Sequence, residues 1–211
     1  MSRPLPPNPP VNLPDGDFAG YIFDCDGTLA DSMPPHYRAW RYAYEKHNAK
    51  FDFTWELFYS LAGAGLHDSV RILNERFGDN LDPDAVVATQ SEDLEKEFQR
   101  IEPIEPVVTL ARELAKTHPV SVASGGGRVH VHETLKSVGL EGFFPVIVTK
   151  DDVANSKPAP DTFLRAAELM GVPPEKCLVF EDSKLGLKAA EAAGMEWVYI
   201  EPELYSAGSG I

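Results

Sequence analysis

Short apolar runs alternate with amphipathic helical patterns along most of this chain of 211 residues. The apolar runs end at polar loops and lie at residues 18–23, 120–123, 146–148, 177–180 and 197–200. Helical patterns lie between them at residues 106–117, 129–138, 162–170 and 184–193. Neighbouring parallel strands need a crossover connection, which is usually a helix. The alternation therefore predicts an α/β fold, a Rossmann-like parallel sheet with helices on both faces.

One long segment interrupts the alternation. Residues 33–103 read as successive helices without a strand-like run. The segment begins with Asp31–Ser32, a predicted helix N-cap, and Pro34–Pro35 lie in the first turn that follows. Pro103 stops helix propagation at the other end. We expect a Pro-rich tail at 1–17, a catalytic core at 18–32 and 104–211, and an all-helical cap at 33–103 over the carboxyl end of the sheet.

Composition limits the partners of the chain. It carries 33 Asp and Glu against 19 Lys and Arg, a formal net charge of -14. Such a charge repels nucleic acid and anionic lipid, so we expect neither as a partner. Two cysteines do not make a disulfide framework, and no signal-peptide pattern precedes the first apolar run. We expect a cytoplasmic monomer that acts on a small molecule.

Polar residues follow four of the apolar runs. Each has an ordinary explanation when taken alone, as a turn former, a helix N-cap or a solvated loop side chain. The carboxyl ends of parallel strands, however, meet at one edge of a sheet, where ligands bind. Four coincidences at successive strand ends therefore favour a site. Its candidate residues are Asp24, Asp26, Thr28, Ser124, Gly125, Lys157, Glu181 and Asp182.

These residue types meet the needs of phosphoryl transfer to an enzyme carboxylate. A carboxylate that approaches a phosphate is repelled by about 4 kcal/mol for each pair of unit charges about 4 Å apart at a dielectric constant of about 20. Mg²⁺ on oxygen ligands and the ammonium of Lys157 would cancel that repulsion. Ser124 and nearby backbone N–H groups would hold the phosphate oxygens. Asp26 would protonate the leaving alcohol and later deprotonate water.

The motifs DxDGT, Ser after the second run, KPxP and ED resemble those of the haloacid dehalogenase superfamily of phosphohydrolases. The helical insertion is similar to that of the β-phosphoglucomutase-like subfamily, and the chain looks especially like its small-sugar phosphatases. The resemblance implies that Asp24 is the nucleophile and Asp26 the acid and base. It implies a Mg²⁺ ion held by the side chains of Asp24 and Asp182 and the main-chain carbonyl of Asp26, with Glu181 close behind. It implies phosphate binding by Ser124 and Lys157, with Thr28 and Gly125 beside them.

Cap residues are weaker candidates. His36 and Trp40 lie four apart, on one helix face. His36 either orients Asp26 or a substrate hydroxyl, or is a surface histidine above a core tryptophan. Gly63 belongs to a candidate substrate loop and lacks the setting of a dinucleotide fingerprint. His130 and His132 form an HxH pair with no carboxylate or thiolate at ligand spacing, which argues against a zinc site.

The residues favour a Mg²⁺-dependent phosphatase that hydrolyses a small phosphorylated metabolite, a sugar phosphate, through an aspartyl-phosphate. One alternative is a sugar phosphomutase, which needs a cation on the cap side to hold a second phosphate. In the resembling mutases an arginine holds it, whereas the matching position here is Leu66, and Arg128 is the available substitute. The other alternative is a non-catalytic protein that binds a phosphorylated ligand, although such a protein has no need of Asp26.

Overall fold

The computed structural model describes residues 11–61, 64–97 and 101–201. The first ten residues of the predicted tail, and Gly63 of the predicted cap loop, lie outside the described residues. Five parallel strands form one sheet in the order β3-β2-β1-β4-β5. The strands are β1 Gly20–Phe23, β2 Val120–Ala123, β3 Val146–Val148, β4 Cys177–Glu181 and β5 Glu196–Tyr199. This sheet confirms the predicted α/β fold.

The strand order creates a crevice beside β1. Phe23 at the end of β1 is aligned with Val122 of β2 on one side and with Phe180 of β4 on the other. The chain builds outward from β1 to β3 and then crosses back to place β4 and β5 on the opposite side. The strand order reverses between β1 and β4, and ligands bind at such reversals, outside the carboxyl ends of the strands.

Helices cover both faces of the sheet. They are α5 Glu105–Leu114, α6 Arg128–Ser137, α7 Asp161–Met170 and α8 Lys184–Ala192. Successive side chains of a strand point to opposite faces. Phe23 accordingly packs in the same core as α5 and α6. Ile22 packs in the second core with α7 and α8. Both faces are therefore buried, which is why the strands read as continuous apolar runs.

Among the described residues between β1 and α5 lie four further helices. They are α1 Met33–Lys46, α2 Trp55–Ser60, α3 Leu66–Phe77 and α4 Pro83–Glu97. They enclose an aromatic-rich core of their own, centred on residues such as Trp40, Tyr44 and Leu73. The two connections to this helical cap run side by side, since Asp31 N–H donates to Glu102 O at 2.8 Å and Ile104 N–H donates to Leu29 O at 2.9 Å. The division into domains at 33 and 103 stays a prediction.

Cys25 and Cys177 are both buried free thiols. In the part of the chain that the structure describes, no helix has the length and apolar character that crossing a membrane requires.

Candidate active site

Asp24 follows β1 directly and lies at the crevice. Its backbone N–H continues the sheet ladder by donating to Phe180 O at 2.9 Å, and its side chain is buried. The chain turns sharply three residues later at Gly27, where φ is +87°. A Cβ atom at Gly27 would lie 2.2 Å from Asp182 Oδ2. Glycine is therefore required here both by the backbone conformation and by the approach of a carboxylate.

Lys157 links the ends of β1 and β4. Its Nζ atom lies 2.7 Å from Asp24 Oδ1 and 2.8 Å from Glu181 Oε2, and the side chain is buried. The ammonium also lies 4.8 Å from the centre of the Phe163 ring. Burial alone would lower the pKa of Lys157, but the charges of Asp24 and Glu181 outweigh it and raise the pKa. Lys157 therefore stays charged at the bottom of the site.

The carboxylates of Asp24 and Asp182 are buried beside other negatively charged groups. Burial and the charge of Glu181 raise the pKa of Asp24 to about 7, although Lys157 opposes them. Burial, followed by the charges of Glu181 and Asp24, raises the pKa of Asp182 well above its ordinary value. Thr28 Oγ1 lies 3.5 Å from Asp182 Oδ1, whereas the buried Oδ2 atom has no hydrogen-bond partner.

This acidic cluster fits a divalent cation. Asp24, Glu181 and Asp182 each offer one carboxylate oxygen, and these oxygens all lie within 4.8 Å of one another. Once all three carboxylates are ionised, they and the ammonium of Lys157 together carry two net negative charges, which a divalent ion would neutralise. The partnerless Oδ2 of Asp182 would gain a ligand bond. An oxygen-only donor set is the kind that Mg²⁺ prefers.

Asp26 is held by three side chains from different parts of the fold. Its Oδ1 accepts a hydrogen bond from Ser32 Oγ at 2.7 Å and lies 3.3 Å from His130 Nε2 and 3.7 Å from His36 Nε2. Burial disfavours the charged carboxylate, but the charge and hydrogen bond of His130, supported by His36, hold the pKa of Asp26 well below its usual range. Asp26 is thus an anion in the absence of substrate.

Ser32 differs from its predicted role. It occupies the N-cap position of α1, but its side chain makes no capping hydrogen bond. Its backbone at the cap is helical, with φ -93° and ψ -11°, rather than extended as in a capping serine. The hydroxyl donates to Asp26 instead. The structure places the ring of His36 beside Asp26, as the first interpretation of His36 requires. Trp40 is buried on the same helix.

Of the predicted phosphate-binding residues, Ser124, Gly125 and Lys157 line the cavity beside Asp24, whereas Thr28 is fully buried and does not. Ser124 is buried, and its Oγ accepts a hydrogen bond from Gly126 N–H at 3.0 Å. The N-cap of α6 is Gly127, so Ser124 does not serve as that cap. Gly125 is exposed at the mouth, and the guanidinium of Arg128 pairs with Asp152. Phosphate binding by Thr28, Ser124, Gly125 and Lys157 stays a prediction.

A cavity of about 930 Å³ lies between the cap and the edge of the sheet where the carboxyl ends of the strands meet, which we call the catalytic edge. Asp24, Asp26, Ser124, Lys157 and Asp182 all line it. Its cap wall is largely apolar and aromatic. That wall includes Trp40, Tyr44, Phe53, Phe58 and Leu94, with Gln90 and Glu95 among its polar members. Among the described cap residues that line the cavity there is no lysine or arginine.

Sequence reasoning missed two residues of the site and one at its mouth. His130 contacts Asp26, and Ser32 donates to it. Lys150, at the start of a short 3-10 helix after β3, lines the cavity near Gly127. The available signal was position: His130 lies in the first turn of a helix that follows a strand-end loop, so it is close to the catalytic edge of the sheet.

The site and the fold together define a haloacid dehalogenase-like hydrolase. Residues 21–200 match that family, and the chain belongs to it. The chain is 35% identical to the fructose-1-phosphate phosphatase YqaB of Escherichia coli, over 86% of this chain and 95% of that protein. It is 32% identical to a phosphorylated carbohydrates phosphatase of Thermotoga maritima, over 84% of this chain and 82% of that one.

Structural similarity agrees with the sequence relatives. A crystal structure of a hydrolase from Pseudomonas syringae superposes with a TM-score of 0.76 at 27% identity, covering 85% of this chain and 83% of that chain. The chain is therefore a phosphatase, a phosphoric monoester hydrolase of the haloacid dehalogenase type.

Proposed function

We propose that this phosphatase is Mg²⁺-dependent and hydrolyses a sugar phosphate through a phosphoryl-aspartate on Asp24. The observation that carries the proposal is the convergence of Asp24, Lys157 and Asp182 at one edge of the sheet, with Asp26 beside them. Carbohydrate phosphates are named as substrates of two relatives that match most of this chain. A cytoplasmic location and a monomeric state stay predictions.

In the first step, a carboxylate oxygen of Asp24 attacks phosphorus and the bond to the ester oxygen breaks. Lys157, 2.7 Å from Asp24 Oδ1, offsets the negative charge that accumulates on the phosphoryl oxygens. Asp26 gives its proton to the leaving alcohol. The dianionic substrate beside Asp26 favours protonation of that carboxylate, since a nearby like charge raises the pKa of an acid.

In the second step, Asp26, now anionic, takes a proton from water, and the water oxygen attacks the phosphorus bound to Asp24. Inorganic phosphate and free Asp24 result. His130 and Ser32 stabilise the anionic form of Asp26 that this step requires. The carboxylates of Asp24 and Asp182 and the carbonyl of Asp26 would hold Mg²⁺, with Glu181 close behind. The ion would neutralise charge on the phosphoryl oxygens.

The cap wall favours hydrolysis over phosphoryl transfer between sugar positions. A mutase must hold a second phosphate on its bisphosphate intermediate, and a buried phosphate without a cation is costly. The described cap residues that line the cavity include no lysine or arginine. Arg128 on the core side is paired with Asp152. An apolar and aromatic wall suits the carbon skeleton of a sugar.

A substrate panel tests this function. Sugar monophosphates are incubated with the protein in Mg²⁺ and, separately, in EDTA, and phosphorus NMR follows both phosphate release and isomerisation. We expect Mg²⁺-dependent phosphate release without interconversion of glucose 1-phosphate and glucose 6-phosphate, even with bisphosphate present. Asp24→Asn, which is nearly isosteric, should abolish release. Isomerisation at the rate of hydrolysis would establish the mutase instead, and full activity in EDTA would exclude the metal.

A further inference from the structure

Three potential metal ligands converge beside the carboxylate cluster. Asp26 follows β1, His36 belongs to α1 of the cap, and His130 belongs to α6 of the core. Their ligand atoms form a triangle. The His36 Nε2 and His130 Nε2 atoms are 3.2 Å apart, His130 Nε2 is 3.3 Å from Asp26 Oδ1, and His36 Nε2 is 3.7 Å from Asp26 Oδ1. The three side chains are between 15% and 21% exposed, which leaves the cluster open to ions.

Hydrogen bonds satisfy at most two edges of this triangle, even with His130 protonated, and Thr134 Oγ1 lies a further 3.5 Å from His130 Nε2. A neutral imidazole Nε2 is either a donor or an acceptor, and never both. The short contact between His36 and His130 requires one donor and one acceptor. The ring that accepts there cannot also donate through the same atom to Asp26. A cation at the centre, in contrast, would be bound by all three atoms through their lone pairs.

The triangle has the size of a zinc site. Zinc binds imidazole nitrogen and carboxylate oxygen at about 2.0–2.2 Å, so two ligands of a tetrahedral ion lie about 3.3–3.6 Å apart. The observed edges of 3.2, 3.3 and 3.7 Å bracket that range. We propose that Asp26, His36 and His130 form a second metal site, separate from the carboxylate cluster, that takes Zn²⁺ or a similar transition ion and leaves one coordination position open.

The two sites differ in the ions that they select. Asp24, Glu181 and Asp182 offer only oxygen, which suits Mg²⁺, whereas two imidazoles and one carboxylate suit Zn²⁺ and Co²⁺. In the sequence, the pair His130 and His132 has no carboxylate or thiolate at ligand spacing, which argued against zinc, and His132 is indeed exposed and outside the cluster. The missing carboxylate is supplied by Asp26, 104 positions away in the chain.

Occupation of the second site has a functional consequence that rests on the proposed function. A zinc-bound Asp26 no longer exchanges protons with the leaving alcohol or with water. The ion also ties α1 of the cap to α6 of the core. Zn²⁺ therefore inhibits the phosphatase while Mg²⁺ remains at its own site.

Cobalt spectroscopy tests the site without reference to activity. With excess Mg²⁺ present to fill the oxygen site, Co²⁺ is added and its visible absorption is recorded. Four-coordinate Co²⁺ absorbs far more strongly than the six-coordinate ion. We expect an intense band in the wild-type protein, and its loss on addition of one equivalent of Zn²⁺. His130→Gln and His36→Gln should abolish the band, and the matched control His132→Gln should keep it.

Either of two results would overturn the site: no intense band in the wild-type protein, or a band that persists in folded His130→Gln. Circular dichroism checks that each variant is folded. If His130→Gln does not fold, a band that persists in folded His36→Gln would overturn the site in the same way. In the activity assay at saturating Mg²⁺, the Zn²⁺ concentration for half inhibition should rise at least about tenfold in His36→Gln. Because the cobalt measurement needs no turnover, the second metal site and the proposed function can fail separately.

Discussion

At the carboxyl ends of the strands, the identity of single residues is constrained by close contacts between side chains as well as by the chemistry that they perform. Lys157 lies against both Asp24 and Glu181, and Gly27 allows Asp182 to approach the turn after β1. The sequence predicted that these strand-end residues would meet, because parallel strands end at one edge. It did not predict which of them touch, since hydrogen-bond partners far apart in the chain depend on side-chain packing.

Gly27→Ala tests the close approach. Alanine at φ +87° costs about 1–2 kcal/mol, and its Cβ would displace the Asp182 carboxylate that it meets at 2.2 Å. We expect phosphate release to fall about 100-fold, since small misplacements of catalytic groups have such effects. Gly78→Ala is the matched control, with φ +64° but nothing within 4 Å of the added Cβ. It should lower stability by a similar strain and leave turnover unchanged; equal turnover in both variants would contradict the account.

The contacts of His130 could not be predicted from the sequence. In the sequence His130 stands out only as part of an HxH pair, yet its ring contacts Asp26 and His36. The partners come from a loop after β1 and from a cap helix, so no spacing in the sequence records the contact. Ser32 similarly reads as a helix cap, because its place before two prolines is typical of one. In the structure its hydroxyl donates a hydrogen bond to Asp26 instead.

At the scale of elements, the helical cap encloses a hydrophobic core of its own, separate from the two cores on the faces of the sheet. Leu73 of α3 is fully buried, whereas the adjacent Ile72 is 43% exposed. Leu73→Ala should lower the free energy of unfolding by about 2–5 kcal/mol, through lost burial and the cavity left behind. Ile72→Ala should change it by less than about 0.5 kcal/mol. Denaturant unfolding measures both, and similar losses in the two variants would show that the cap core is packed differently.

The ends of β1 and β4 bring several carboxylates together, and their mutual repulsion destabilises the folded state of the metal-free protein. Burial and the neighbouring carboxylates raise the pKa of Asp182, which means that its anion is disfavoured in the folded state. Asp182→Asn removes one charge and keeps the shape. We therefore expect this variant to melt higher than wild type in EDTA, by at least about 2 °C, and to lose most of the stabilisation that Mg²⁺ gives wild type.

The control for that change is Asp84→Asn, whose carboxylate is 90% exposed on α4. It should not raise the melting temperature in EDTA and should keep the full response to Mg²⁺. A lower melting temperature for Asp182→Asn in EDTA would mean that the carboxylate cluster stabilises the fold without a metal.

At the scale of the whole molecule, the sequence predicted the architecture well. The period of the pattern changes from strand to helix at each junction, and the observed sheet has five parallel strands with helices on both faces. The strand order was not predictable, since periodicity reports only that a strand exists. The cavity between core and cap was likewise beyond the sequence, because its wall combines residues from four cap helices with four strand-end loops.

The central claim is that Asp24 carries the phosphoryl group, and an intact-mass measurement tests it most directly. Asp26→Asn is mixed with p-nitrophenyl phosphate and Mg²⁺ and quenched in acid. An aryl leaving group needs little protonation, so Asp24 should be phosphorylated, and without a base to activate water the adduct should accumulate. We predict a mass gain of one phosphoryl group, located on the peptide that contains Asp24 and absent from Asp24→Asn. Phosphate release without such an adduct, or a phosphoryl group on another residue, would contradict the account.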